Sequence, residues 1–211
     1  MYLFSRRARL AGGNGSDALD WAASICDKVQ AVAHQEVQLW ATVYSPGFGT
    51  VSWTTWVPDL ATLESIGDRL MADKGYGDLT NQAATFAAGG LDDSLLQPLH
   101  GVPEPERNLT YVGGVQAVIA GGQVGRAMAA GVELAMTAAS ITGLQTMFMR
   151  NLTGPYGAVG WLTGYESIAE MESADHALNA EPSWLKTVDH TEGCFVEDPA
   201  STQTTIYRRM K

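Results

Sequence analysis

The chain is written twice. Tyr44-Ser45-Pro46-Gly47-Phe48-Gly49-Thr50-Val51-Ser52-Trp53 aligns with Leu152-Thr153-Gly154-Pro155-Tyr156-Gly157-Ala158-Val159-Gly160-Trp161, so that Gly49, Val51 and Trp53 each return 108 positions on. The register continues through Glu64-Ser65 and Glu172-Ser173, Leu70 and Leu178, and Ala72 and Ala180. Earlier, Ala11-Gly12-Gly13 matches Ala120-Gly121-Gly122 at an offset of 109, so one small indel separates two copies of a unit of about half the chain. That length exceeds a solenoid repeat and suits a small domain. The expected organisation is repeat 1 over residues 1–101, a linker over 102–108 rich in Pro and charge, and repeat 2 over 109–211.

Each copy shows one order of elements. In the first, Met1 to Leu10 reads as a strand, followed by the Gly-rich turn Gly12-Gly13-Asn14-Gly15. A helix over Asp17 to His34 has its apolar residues at helical spacing. Val37 to Tyr44 and Thr50 to Val57 alternate around a Pro-Gly turn, which is a hairpin. A second helix begins at Pro58, which suits a first helical turn. A shorter helix covers Leu79 to Ala88, and Leu95 to Leu99 closes as a strand. The second copy predicts strands at Tyr111–Ala120, Leu144–Leu152, Ala158–Tyr165 and Gln203–Arg209. Its helices fall at Val124–Ile141, Ser167–Leu178 and Ser183–His190.

Strand, helix, strand, strand, helix, strand is the split βαβ, or ferredoxin-like, plan, with both helices on one face of an antiparallel sheet. The strands carry apolar residues on both parities, as at Leu39 and Trp40, so the face away from the helices also needs a partner. A tandem duplication supplies one. The expected fold class is therefore α+β: two tandem ferredoxin-like repeats packed sheet to sheet as an intrachain pseudo-dimeric α/β barrel.

This order of elements, with the Gly-Val-Trp hairpin strand and the tandem linker, resembles the dimeric α/β-barrel superfamily. Within it, the chain looks like a fused member of the NIPSNAP, stress-responsive barrel and antibiotic-biosynthesis monooxygenase-like groups. The resemblance implies a small-molecule-binding barrel, a cofactor-independent monooxygenase or isomerase acting on an aromatic or polyketide-like compound. The alternative is a non-catalytic ligand-binding or protein-interaction barrel, because fold constrains function weakly.

Candidate residues follow from that resemblance and from the strand pattern. His176, Trp161 and Arg150 form the candidate catalytic set; His176 and Trp161 are two of the three residue types used by haem-degrading relatives, but no Asn stands on the first strand of that half. Trp40, Trp53, Tyr111 and Gln116 are candidate ligand-binding residues. Trp53 and Trp161 share a face by parity, and their recurrence in both copies also suits matched core packing. His34, at the end of the first helix, reads as a capping residue favoured by the helix dipole.

The remaining signals narrow the partners. A formal charge of -10 opposes binding to a phosphate backbone, and the short basic runs Arg6-Arg7 with Arg9 and Arg208-Arg209 read as solvated rims. Asp92-Asp93 reads as solvated loop charge. Gly121-Gly122-Gln123-Val124-Gly125 lacks dinucleotide-binding spacing, and its recurrence marks it as a topological turn. No His pair, C-x-x-C or G-x-S-x-G motif occurs, so neither a metal nor a cofactor is expected. Cys26 and Cys194 read as buried thiols. The expected partner is a hydrophobic or aromatic small molecule, with no nucleic acid, no membrane and further homodimerisation left open. Lacking a signal peptide or membrane span, the protein is expected in the cytoplasm.

Overall fold

Side-chain caps start two helices in each copy, at matching positions. In the computed structural model, which describes residues 1–12, 15–104 and 107–211, the first half contains β1 (Tyr2–Arg9), α1 (Gly15–Ala33), β2 (Gln38–Val43), β3 (Thr50–Val57), α2 (Leu60–Ala72), α3 (Lys74–Asn81), α4 (Ala83–Phe86) and β4 (Asp92–His100). The second contains β5 (Tyr111–Val118), α5 (Val124–Thr142), β6 (Thr146–Asn151), β7 (Ala158–Tyr165), α6 (Ile168–Ala180), α7 (Pro182–Asp189) and β8 (Gln203–Arg209). The Asp59 carboxylate accepts from the Thr62 amide to start α2, and the Ser167 hydroxyl accepts from the Glu170 amide to start α6. Asp73 caps α3 and Glu181 caps α7 in the same way. Pro58 therefore lies one residue ahead of the cap, outside the helical turn expected for it.

The helix expected at Leu79–Ala88 is replaced by α3 and α4. Lys74-Gly75-Tyr76-Gly77 is a poor helix former by propensity. Asp73 nevertheless accepts from the Tyr76 amide and pairs with Lys28 of α1 at 2.8 Å, so capping and a tertiary contact start the helix five residues early. Parts of the Gly12-Gly13-Asn14-Gly15 turn (residues 13 and 14) and of the linker (105 and 106) lie outside the described residues.

Helices α1 and α5 both end in the left-handed region. His34 does so at φ 54° and Gly143, its counterpart 109 positions on, at φ 71°. The left-handed conformation costs a residue with a Cβ about 1–2 kcal/mol, while glycine loses more entropy on folding. His34 is exposed. Replacing His34 by glycine is expected to stabilise the protein by about 0.5–1 kcal/mol, read as a higher urea midpoint; an unchanged or lower midpoint would contradict this account.

Packing divides the chain into two units, Met1–Leu95 with Arg208–Lys211, and Leu96–Tyr207. The repeat boundary read in the sequence lies at the linker, whereas the packing boundaries fall within β4 and β8. In unit 1, β3 pairs antiparallel with β1 and β2, and Arg6 faces Trp53 across the first pair. In unit 2, β7 pairs antiparallel with β5 and β6 in the same arrangement. The hydrogen-bonded strand order β1-β3-β2-β8-β5-β7-β6-β4 closes, the order of a pseudo-dimeric α/β barrel.

Strand pairing also locates the indel. Trp53 faces Leu39 and Trp161 faces Phe148, so β2 matches β6 at an offset of 109 while β3 matches β7 at 108. The extra residue of the first copy thus lies in the β2–β3 turn, where Tyr44 takes a φ of 50°.

Each unit builds its core between sheet and helices on one repeated hydrogen bond. Trp53 Nε1 donates to the Ala22 carbonyl at 2.8 Å, and Trp161 Nε1 donates to the Gly131 carbonyl at 2.8 Å. Residue 131 is again 109 beyond 22. The neighbours of the two indoles differ. In unit 1 the aromatic partner comes from the helix, where Trp21 meets Trp53 edge-on at 5.6 Å and Leu39 fills the strand position. In unit 2 it comes from the strand, where Phe148 lies 5.1 Å from Trp161 and Ala130 replaces Trp21 on the helix. Both cysteines are free and buried. Burial pushes the Cys26 thiol up to about 11.

Candidate functional site

Unit 1 holds a cavity of about 310 Å³ between its sheet and its helices. Strands β1 and β3 supply Phe4, Arg6, Trp53 and Thr55; α1 supplies Trp21, Ile25 and Val29. Leu63, Ile66 and Leu70 of α2 and Tyr76 of α3 complete most of the wall. All lining residues belong to unit 1. Alternation along β1 points Phe4 and Arg6 to the helix side, opposite Thr55 and Trp53 on β3.

The charged groups in this lining are Arg6 and Asp93. Arg6 Nε and Nη2 donate to the two Asp93 oxygens, both at 2.7 Å, which is the two-pronged geometry a guanidinium offers a carboxylate. The Arg6 guanidinium also lies 5.7 Å from the centre of the Phe4 ring. Bonding to Asp93 raises the Arg6 pKa against the opposing effect of burial, with Tyr76 adding to the rise, so Arg6 is a fixed cation at any working pH. The side chains of Arg6 and Asp93 are 35% and 47% exposed, so the pair lies at the rim of the cavity. Two expectations are corrected here. Arg6 is not a freely solvated rim charge, because strand alternation turns it under the helices. Nor is Asp93 a solvated loop charge, because β4 begins at Asp92 and holds Asp93 against Arg6.

The second copy has different residues at these positions. Gly113 stands for Phe4 and Val115 for Arg6, 109 positions on, and the Tyr165 ring occupies the space beside Gly113, where an added Cβ would lie 3.3 Å from Tyr165 Cε2. Burial raises the Tyr165 phenol above its ordinary range, while a hydrogen bond with Thr163 opposes the shift.

Of the residues singled out in the sequence, Trp53 lines the cavity and the other six do not. Trp40 is buried on the sheet face away from the helices, where its Nε1 donates to Thr54 at 3.0 Å. Gln116, which pairs with Gly160, also lies on the face away from the helices, half-buried. Tyr111 faces Tyr165 at the end of β5. Trp161 is 9% exposed, with its indole N–H bonded to Gly131. Arg150 is exposed and donates to Gln97 Oε1 at 2.6 and 2.9 Å. His176 is exposed on α6. His176, Trp161 and Arg150 all belong to unit 2 and none lines the unit 1 cavity. The signal missed in the sequence is the mismatch between copies. Matched tryptophans mark shared packing, whereas Phe4 and Arg6 against Gly113 and Val115 mark what one copy alone has.

No protein-family model matches the chain, and no curated protein matches it. Solved structures do. A proposed monooxygenase of Fusobacterium nucleatum superposes with a TM-score of 0.72 at 9% identity, over 100% of this chain and 92% of that one. The fold is that of the dimeric α/β barrels. A proposed monooxygenase of Lactobacillus acidophilus matches this barrel with a TM-score of 0.64 at 11% identity, covering 99% and 93% of the two chains. An anthrone oxidase-like protein gives 0.68 at 11% identity, covering 100% and 91%. At such identities the likeness is one of fold. Among the described residues, no helix of the barrel is long and apolar enough to cross a membrane.

Proposed function

We propose that this barrel binds an aromatic or polyketide-like small molecule in the unit 1 cavity and oxygenates it without a cofactor. One observation supports the reading above the others: a cavity walled by Phe4, Trp21, Trp53 and aliphatic side chains carries a fixed cation at its rim, with two of its five N–H groups held by Asp93. Its volume is at the small end of ligand pockets. Asp93 takes two of the five guanidinium N–H groups, leaving the others for the ligand and Tyr76. The reaction class comes from the names of the fold neighbours, which include an anthrone oxidase-like protein. A CH₂ group flanked by aryl rings and activated by a carbonyl reacts as R₂CH₂ + O₂ → R₂C=O + H₂O. In this scheme the proton leaving the carbon passes to solvent water at the open rim, where Arg6 and Asp93 are part-exposed, and Arg6 polarises the carbonyl by donating a hydrogen bond to its oxygen.

A second, non-catalytic reading is favoured by one feature. The carboxylate in the lining, Asp93, already uses both oxygens on Arg6, so among the described residues no free carboxylate or histidine stands in the wall as a general base.

Titration of the protein with anthrone, followed by tryptophan fluorescence and by an oxygen electrode, separates the readings. We expect saturable quenching, because Trp21 and Trp53 line the cavity, together with oxygen uptake above the protein-free rate and formation of the quinone. Quenching without oxygen uptake would leave the binding reading; no quenching would remove both. Arg6→Met is expected to weaken binding roughly 10- to 100-fold, the loss of a hydrogen bond from a charged donor. Unchanged affinity would remove Arg6 from the site.

A further inference from the structure

Resting on the cavity reading above, we propose that the ligand meets Arg6 through a neutral carbonyl rather than a carboxylate, and that Asp93 sets this preference. The argument is one of charge and donor count. A carboxylate leaving water for an apolar cavity needs an unpaired cation to offset its lost hydration. Arg6 is not unpaired, since Asp93 meets it at 2.7 Å through both oxygens. Among the described residues the lining holds no other charged side chain, so the two charges cancel. A second carboxylate at Arg6 would also lie within a few ångströms of Asp93 and be repelled by it.

A neutral acceptor faces neither cost. The guanidinium keeps N–H donors that Asp93 does not use, and a carbonyl oxygen accepts them without bringing charge into the cavity. Asp93 also fixes the guanidinium plane by its two-pronged bond, so the remaining donors have a set direction. Around that donor, Phe4, Trp21 and Trp53 offer aromatic surface to the rest of the ligand. The class of compound that fits is a neutral aryl ketone, quinone or anthrone-like molecule. Asp93 acts through Arg6 and is a positioning residue.

The test uses two ligands of nearly equal shape, 2-acetylnaphthalene and 2-naphthoate, titrated at pH 7.5, where the second is an anion. Wild-type protein is expected to bind the ketone at least tenfold more tightly. Asp93→Asn keeps the shape of the side chain, removes the compensating charge, and is expected to shift the ratio of affinities at least tenfold toward naphthoate. Arg6→Gln removes the cation itself and is expected to weaken the ketone without the gain in naphthoate binding. Structural damage would weaken both ligands together, whereas Asp93→Asn is expected to tighten naphthoate in absolute affinity and Arg6→Gln is not. If wild type prefers naphthoate, or if Asp93→Asn leaves the ratio unchanged, the carbonyl inference falls while the cavity reading stands. Binding of neither ligand would remove both.

Discussion

Gly131→Ala is expected to destabilise the protein by about 2 kcal/mol, and Phe148→Leu in the same chain is expected to restore most of the loss. Two effects oppose each other at residue 131. Alanine is a better helix former than glycine by about 1 kcal/mol, which would favour the change in the middle of α5. A Cβ at that position would overlap the edge of the Phe148 ring, however, and Phe148 is fully buried with no room to swing aside. Overpacking of this kind costs about 1–3 kcal/mol beyond what propensity returns, so the clash wins. Phe148→Leu alone should cost roughly 1–2 kcal/mol in lost burial and in its contact with Trp161. The double variant installs at positions 131 and 148 the pair already present as Ala22 and Leu39 in unit 1. Urea unfolding of the four proteins should therefore show a coupling of about 3 kcal/mol; additivity to within about 0.5 kcal/mol would mean that glycine and phenylalanine are not a matched pair.

Trp21→Ala should give the largest single loss, about 4 kcal/mol, from the removal of a buried aromatic side chain. Trp21 is 5% exposed, meets Trp53 edge-on at 5.6 Å, stacks on Phe86 at 5.8 Å and donates from its indole N–H to the Leu79 carbonyl at 3.0 Å. It therefore ties α1 to β3 and to the end of α3. Ala130 occupies the equivalent place in unit 2, so the helix backbone tolerates alanine; there the volume is supplied by Phe148 from the strand. In unit 1 the strand residue is Leu39, and nothing replaces the lost ring. A fall in melting temperature of about 10 °C is expected for a chain of this size. The variant should also enlarge the unit 1 cavity, since Trp21 is part of its wall. A loss below about 1 kcal/mol would show that α1 and α3 close over the vacancy.

The repeat explains why so much of the fold was legible. Hydrophobic periodicity placed β3, β7 and β8 at their observed bounds and found α1, α2, α5, α6 and α7. It missed the start of α3, because the Asp73–Lys28 pair that holds it joins residues far apart in sequence. The duplication also made Trp53 and Trp161 conspicuous, and both serve the same packing bond in their units. His176 and Arg150, singled out from the resemblance and the strand pattern, are exposed and do not line the unit 1 cavity. Phe4 and Arg6 were visible as letters, but their value lay in having no counterpart at Gly113 and Val115. Asp93 could not be assigned to Arg6 from spacing, since 87 residues separate them.

By itself the sequence determined the two copies and most of their order of elements, since periodicity and turn chemistry act over a few residues. Tertiary structure alone decided what walls the unit 1 cavity: that depends on Trp21 supplying a ring from the helix and on the distant Asp93 meeting Arg6. Those choices are made by volumes and charges brought together across the chain, where no local pattern records them.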